Sequence, residues 1–247
     1  MTLSIDHIVI SVNDLQTAIT EFRTAGFTTH YGGKHADGIT ENGLVIFGDG
    51  AYLELIALTE GSTMEQAMFK ALVRQIEGYT GYALLTGDLL ETVHRITNAG
   101  IETSGVREGS RHRPDGELLK WRMSRIGEHM SPFIIQDVTS RDLRVPTGHE
   151  HIDHTNGVTG VRAIKILVQS FAKMTEAYQV ITDVVPQVTE QEAVFMLDNS
   201  SIILSKPHNE EEQRYHAQFG SVPYEVTFAS NDEQALILRG ARIILSE

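Results

Sequence analysis

The sequence predicts an α+β fold built from a repeated β-α-β-β-β unit. An aliphatic strand runs into an amphipathic helix that stops at a glycine, and short strands with Gly, Asn or Asp turns follow it. The same plan returns further along: with Asp88 laid on Asp14, Leu89 falls on Leu15, Ile96 on Phe22 and Gly100 on Gly26. A third copy starts near Gly160, and a shortened fourth piece ends the chain.

In order, "SIDHIVISV" reads as the first buried strand, and Asn13 or Asp14 can cap a helix whose Leu15, Ala18, Ile19 and Phe22 share one face before Gly26. Strands are expected at "FTTHYGGKH", "ENGLVIFGDG" and "AYLELIALT". Ser62 and Glu65 have capping-box spacing and open an expected helix that closes at Gly78. The second strand and helix lie in "YTGYALLTGDLLETVHRITNAG", followed by two strands, "ELLKWRMSRI" and "SPFIIQDVT". The third copy places Phe171, Met174, Ala177 and Tyr178 on one helix face, then a hairpin around Asp198 and Asn199. A helix near residues 210 to 219 and the strands "PYEVTFAS" and "GARIILSE" complete the chain. The expected organisation is a module pair over residues 1–139 that carries the site, a connecting loop over 140–158, and a structural second pair over 159–247 with its last module incomplete.

A formal charge of -13, from 20 Lys and Arg against 33 Asp and Glu, argues against nucleic acid or an anionic membrane as partner. With no cysteine, disulfides, thiolate metal sites and a Cys nucleophile are excluded. No apolar run approaches the roughly 18 residues of a membrane span and no leader pattern opens the sequence, so a cytoplasmic location is expected. Neither a G-x-S-x-G elbow, a P-loop nor a dinucleotide fingerprint is present.

His7 is an imidazole in an aliphatic strand, and Glu54 a carboxylate in another. Strand alternation puts Ile5, His7 and Val9 on one face and Tyr52, Glu54 and Ile56 on one face. By itself His7 also reads as a buried histidine hydrogen-bonded to a backbone group or to Asp6. A buried carboxylate without a partner is costly, so His7 and Glu54 are expected to meet, as ion pair or as co-ligands. His35 sits in a glycine-bearing stretch where polar side chains can reach a ligand, with Thr40 and Asn42 beside it as neutral hydrogen-bonding groups. "SRHRPDGELLKWRM" concentrates Arg111, His112, Arg113, Lys120 and Arg122 around Trp121. Its functional reading is that Arg113 or Arg122 turns inward to hold a substrate anion, with Trp121 as an apolar wall. Alternation allows only one of Trp121 and Arg122 to face inward. His149, His151 and His154 lack a ligand spacing and read as a solvated crossover.

With "IDHIVISVNDL", "GGKHADGITENGLVIFGDGAYLELIAL", "RHRPDGELLKWRM" and "HTNGVTGV" in this order, the chain resembles the glyoxalase-like branch of the vicinal oxygen chelate superfamily. The resemblance implies paired βαβββ modules forming a cup. It also implies one divalent metal (Zn, Fe, Mn or Ni), or none in some members, with ligands on the first and last strands of each module. On that pattern His7 and Glu54 are ligands, Gln136 stands near the position of Glu54 in the second module as a weak third ligand or substrate hydrogen-bonder, and Gly81 takes the position of His7. In the third unit Ala163 and Ile203 take these two places. His35 is the candidate acid or base, and the resemblance places His154 near the rim of the cup. The implied activity is that of a lyase, isomerase or dioxygenase acting on a substrate with vicinal oxygens. The alternative is a metal-free protein that sequesters a small molecule, as in resistance. Edge strands leave room for a homodimer.

Overall fold

The computed structural model describes residues 3–62, 76–127, 132–198 and 200–247. The body of the helix expected between Ser62 and Gly78 lies outside the described residues, as does Asn199 of the expected hairpin turn.

The first unit is β1 (Ser4–Ser11), α1 (Leu15–Thr24), β2 (His30–His35), β3 (Thr40–Ile46) and β4 (Tyr52–Leu58). Asp14 caps α1 by accepting the Thr17 N–H at 2.8 Å, and Leu15, Ala18, Ile19 and Phe22 are its buried face. Gly26 follows at φ 88°, a backbone conformation that favours glycine. The second unit repeats this with β5 (Gly78–Leu85), α2 (Leu89–Asn98), β6 (Arg107–His112), β7 (Leu118–Arg125) and β8 (Pro132–Asp137). Asp88 accepts the Glu91 N–H at 3.0 Å, matching Asp14. Three strands follow α2 rather than the two expected, because β6, "REGSRH", carries no aliphatic alternation to announce it.

These eight strands close a barrel in the order β1-β4-β3-β2-β6-β7-β8-β5. Closure leaves no sheet edge and turns alternate residues into an interior. One seam between the units is the long β1–β5 ladder; the other, β2–β6, has two register pairs, Lys34↔His112 and His35↔Arg111.

The rest of the chain forms β9 (Gly160–Leu167), α5 (Phe171–Thr182), β10 (Gln187–Val188), β11 (Glu192–Met196) and β12 (Ser201–Ser205). After these come α6 (Glu210–Phe219), β13 (Pro223–Ala229), β14 (Gln234–Leu238) and β15 (Ala241–Ser246). They make an open sheet, β10-β11-β12-β9-β13-β15-β14. A single apolar cluster joins the outer face of the barrel to this sheet, from Ile8, Leu53 and Tyr82 through Phe22 and Ile96 to Ile164, Phe195, Val226 and Ile243. Tyr82 donates to the Tyr178 hydroxyl at 2.9 Å inside it.

The segment expected to be a connecting loop contains two single-turn helices, α3 (Arg141–Arg144) and α4 (His149–Ile152). His154 follows them and is not at the rim of a cup. Its Nδ1 accepts the Thr28 N–H at 2.9 Å, so its Nε2–H donates to the Ile46 carbonyl at 2.9 Å. Packed against Phe27 and Phe47, the ring buckles the connecting segment onto the barrel. No helix among the described residues is long and apolar enough to cross a membrane.

Burial holds the His154 pKa below its ordinary value of 6.5, against the opposing effect of the Ile46 hydrogen bond. A lowered folded-state value stabilises the fold above the unfolded pKa and loses that contribution as pH falls through the folded one. Urea midpoints are therefore expected to fall between pH 7.5 and 5.5. His154→Gln should remove part of that slope while costing about 1–3 kcal/mol at pH 7.5 from the broken buckle.

Candidate functional site

The barrel interior is organised by an irregularity in β1. On the β5 ladder Ile5 pairs with Leu84 and His7 with Ala83, so Asp6 is an extra residue in a bulge. Ile5 therefore stays with Ile8 and Ile10 in the outer core, while His7 and Val9 face inward, which corrects the expectation that Ile5 shares their face. The bulge also turns the Asp6 carboxylate to its neighbour: Asp6 Oδ1 lies 2.5 Å from His7 Nδ1. In the neutral imidazole this bond fixes the Nδ1–H tautomer and leaves the Nε2 lone pair facing the cavity.

Asp6 is fully buried, and the connecting segment supplies its counter-charge. Arg144 of α3 donates from Nη1 to Asp6 Oδ1 at 2.7 Å and from Nη2 to Oδ2 at 2.8 Å. The same guanidinium donates to both oxygens of Asp137, at 2.6 and 2.9 Å, and to the Tyr52 hydroxyl at 2.9 Å. Arg141 adds a bond to Asp6 at 2.6 Å and one to the Gly50 carbonyl at 2.7 Å. Burial alone would raise the Asp6 pKa; the charge and hydrogen bonds of Arg144, helped by His7, hold it well below the ordinary carboxylate range. Two aspartates and two arginines thus close one end of the barrel without net charge.

Glu54 on β4 and His7 do converge. Glu54 Oε2 lies 3.5 Å from His7 Nε2, and Oε1 lies 3.8 Å from His35 Nε2. Asn42 donates to Oε1 at 2.6 Å, and Thr40 Oγ1 lies 2.8 Å from His35 Nδ1. Since a carboxylate only accepts, the amide nitrogen of Asn42 must face Glu54, and its Oδ1 is left buried with no donor among the described residues. Gly32 makes room for this: an added Cβ would lie 2.2 Å from Asn42 Oδ1 and 3.2 Å from Arg111 Nη1. Burial pushes the Glu54 pKa up, but His7, His35, the Asn42 bond and Arg111 outweigh it and hold the group below its ordinary 4.5. The carboxylate is ionised at neutral pH.

A cavity of about 560 Å³ opens above this floor. Trp121, Met123, Phe133 and Ile135 form an apolar wall opposite the polar one. The Trp121 ring lies across Gly109, where a Cβ would come within 2.3 Å of Nε1. Neither expected arginine faces the cavity. Arg122 is exposed on the outside of β7, and Arg113 bonds the Leu143 carbonyl at 3.1 Å and Asp115 at 2.8 Å. Arg111 is the buried one, with Arg107 and Arg125 nearer the mouth. Gln136 is also turned away, accepting the Leu89 N–H at 3.3 Å and donating to the Gly87 carbonyl at 2.7 Å, where it supports the start of α2. Sequence reasoning allowed a hydrogen bond from His7 to Asp6, which the structure has, but missed Asp137, Arg141 and Arg144 as the further partners of Asp6; the acidic residue at the end of β8 was the local signal.

A family model described as a glyoxalase-like domain matches residues 5–182. The chain belongs to this family. Among solved structures, a hypothetical protein from Staphylococcus aureus is similar over 99% of each chain, at 15% identity and a TM-score of 0.78. A mutant 4-hydroxymandelate synthase from Streptomyces coelicolor is similar over 94% of this chain and 72% of its own, at 12% identity and a TM-score of 0.58. A xylose isomerase-like TIM barrel/4-hydroxyphenylpyruvate dioxygenase fusion protein is similar over 94% of this chain and 37% of its own, at 13% identity and a TM-score of 0.56. At such identities the likeness is one of fold. Among curated proteins no relative matches the sequence.

The metal that the glyoxalase-like resemblance implies can be tested against the donors. The β1–β4 ladder pairs Val9 with Glu54, and the matching β5–β8 ladder pairs Ala83 with Phe133. Phe133, not Gln136, therefore stands where the second module repeats Glu54, and Gly81 stands where it repeats His7. Phe133 packs edge-on to His7, with ring centroids 5.3 Å apart. Two of the four positions carry no donor, and among the described residues no three His, Asp or Glu side chains converge in a way that could hold an ion. The four-ligand arrangement does not fit this cup.

Removing one partner of a buried ion pair typically costs about 3–5 kcal/mol. Arg144→Met is expected to lower stability by about that amount in urea unfolding, because Asp6 and Asp137 both lose their fork. An exposed arginine such as Arg122 replaced by Met should change it by less than about 0.5 kcal/mol.

Proposed function

We propose that this glyoxalase-like protein is a small-molecule enzyme that moves a proton at a carbon beside a substrate oxygen, with Glu54 as the base. The observation that supports it is the placement of one ionised carboxylate at the floor of the barrel cavity, between two imidazole Nε2 atoms at 3.5 and 3.8 Å. Such a carboxylate can take a proton from carbon, and either imidazole can relay it. His7 is oriented for this by Asp6, and His35 by Thr40. Asn42 holds Oε1, so Oε2 keeps more freedom to meet substrate. The apolar wall lowers the polarity beside the base and so strengthens the fields acting on the reacting carbon. Isomerase and lyase reactions on substrates with vicinal oxygens need this set of parts: a base, a proton relay and an anchor for developing charge.

The test is solvent exchange. Small 2-hydroxy and 2-oxo carbonyl compounds incubated with the protein in D2O, followed by proton NMR, should lose their α-proton signal. Glu54→Gln should slow that loss by about 10²–10⁴-fold. The same variant should keep the ligand-induced rise in melting temperature. Ligands that raise the melting temperature of the wild type without any α-deuteration would favour the sequestering protein over the enzyme.

A further inference from the structure

Arg111 is a buried cation with no ion-pair partner among the described residues. It is 4% exposed and faces the cavity. One guanidinium nitrogen donates to the Gly32 carbonyl, and among the described residues Arg111 makes no ion pair. Glu54 is close enough to feel its field but is engaged by Asn42, His7 and His35. Arg144, by contrast, is answered by two carboxylates. Leaving a guanidinium in a dehydrated site is expensive unless something of opposite charge arrives there. The register fixes where it waits: Arg111 is opposite His35 on the β2–β6 seam, two residues along β6 from Gly109, which lies under Trp121.

We infer that the Arg111 guanidinium is the electrophile of this cup and that the substrate is a small organic carboxylate with an apolar, ring-sized tail. This rests on the proton-transfer reading of the same site and names its substrate class. The carboxylate pairs with the fork of Arg111, which fixes the neighbouring carbon against Glu54. As the proton leaves, negative charge builds on the substrate oxygens and is met by the guanidinium. Arg111 thereby supplies the positive charge that a metal would supply, in a module whose ligand positions hold Gly81 and Phe133. The tail lies on Trp121, Met123, Phe133 and Ile135, and a cavity of about 560 Å³ is ample for it.

Matched probes separate charge from shape. Calorimetric titration of the full chain with 3-phenylpropanoate and with the neutral 3-phenylpropanamide should give at least about tenfold tighter binding of the acid, the discrimination expected of a charge-assisted pair. Arg111→Gln should bring the two affinities together. Should that variant not fold, Arg111→Lys decides: it keeps the charge but not the fork, so it should weaken the acid severalfold and leave the amide unchanged. Glu54→Gln should keep or tighten binding of the acid, since a like charge is removed. Equal affinities in the wild type, no binding of the acid, an acid preference that survives in Arg111→Gln, or an unchanged acid affinity in Arg111→Lys would each overturn the inference. Absence of α-proton exchange with the acid preference intact would sink the proton-transfer reading and with it the electrophilic role of Arg111, leaving its carboxylate binding; exchange without that preference would sink only the role of Arg111.

Discussion

The buried Asp6 carboxylate is the constraint on which the site depends. A charge inside a barrel loses several kcal/mol of hydration and can stay ionised only with close, well-shaped partners. Arg144 meets both Asp6 oxygens, and that single contact does three things. It draws the segment after β8 across the end of the barrel. It lets Asp6 hold His7 by Nδ1, so that Nε2 is aimed at Glu54. It also leaves the closed end neutral, so the buried charges that remain in the cavity are those of Glu54 and Arg111.

Much of the fold was legible because its signals are local. Asp14 and Asp88 cap helices three residues before the N–H groups they accept, and the four buried positions of α1 follow directly from helical spacing. The meeting of His7 with Glu54 was legible too, because an acid and an imidazole in aliphatic strands each need a partner. The bulge was not. Asp6 becomes an extra residue only relative to β5, some seventy positions away in the chain, and nothing within "SIDHIVIS" records it.

Arginine choice failed for a similar reason. Arg111, Arg113 and Arg122 look alike in a basic hairpin, and which one turns inward is set by the pairing of His35 with Arg111 across two modules. The polar sequence of β6 gave no alternation with which to fix that register. Gln136 illustrates a different limit: without its ladder partners the last strand of the second module can be set three residues off, and the pairing of Ala83 with Phe133 puts Phe133 in that place. Arg144 lay in a stretch with no strand or long-helix pattern, where only the demand of a distant carboxylate gives a residue its meaning.

The open sheet explains why the buried charges of the candidate site lie in one half. Its order, β10-β11-β12-β9-β13-β15-β14, repeats that of the barrel, β2-β3-β4-β1-β5-β8-β7, with the same parallel pairs β9–β12 and β13–β15. What is lacking is a counterpart of β6 and of α2 in the fourth unit, where β13 runs to β14 through residues 230–233. β6 is the strand that closes the barrel and carries Arg111. Without it the sheet cannot curl shut, its inner face stays partly open to water, and a carboxylate or guanidinium there would be screened rather than sharpened. Ala163 and Ile203, at the places of His7 and Glu54, fit a face that was never dehydrated enough to make charge useful. The opposite face keeps a task that needs no polar group: it covers the outside of the barrel with Ile164, Ile202 and Val226, holding the closed unit in the curvature that its interior requires.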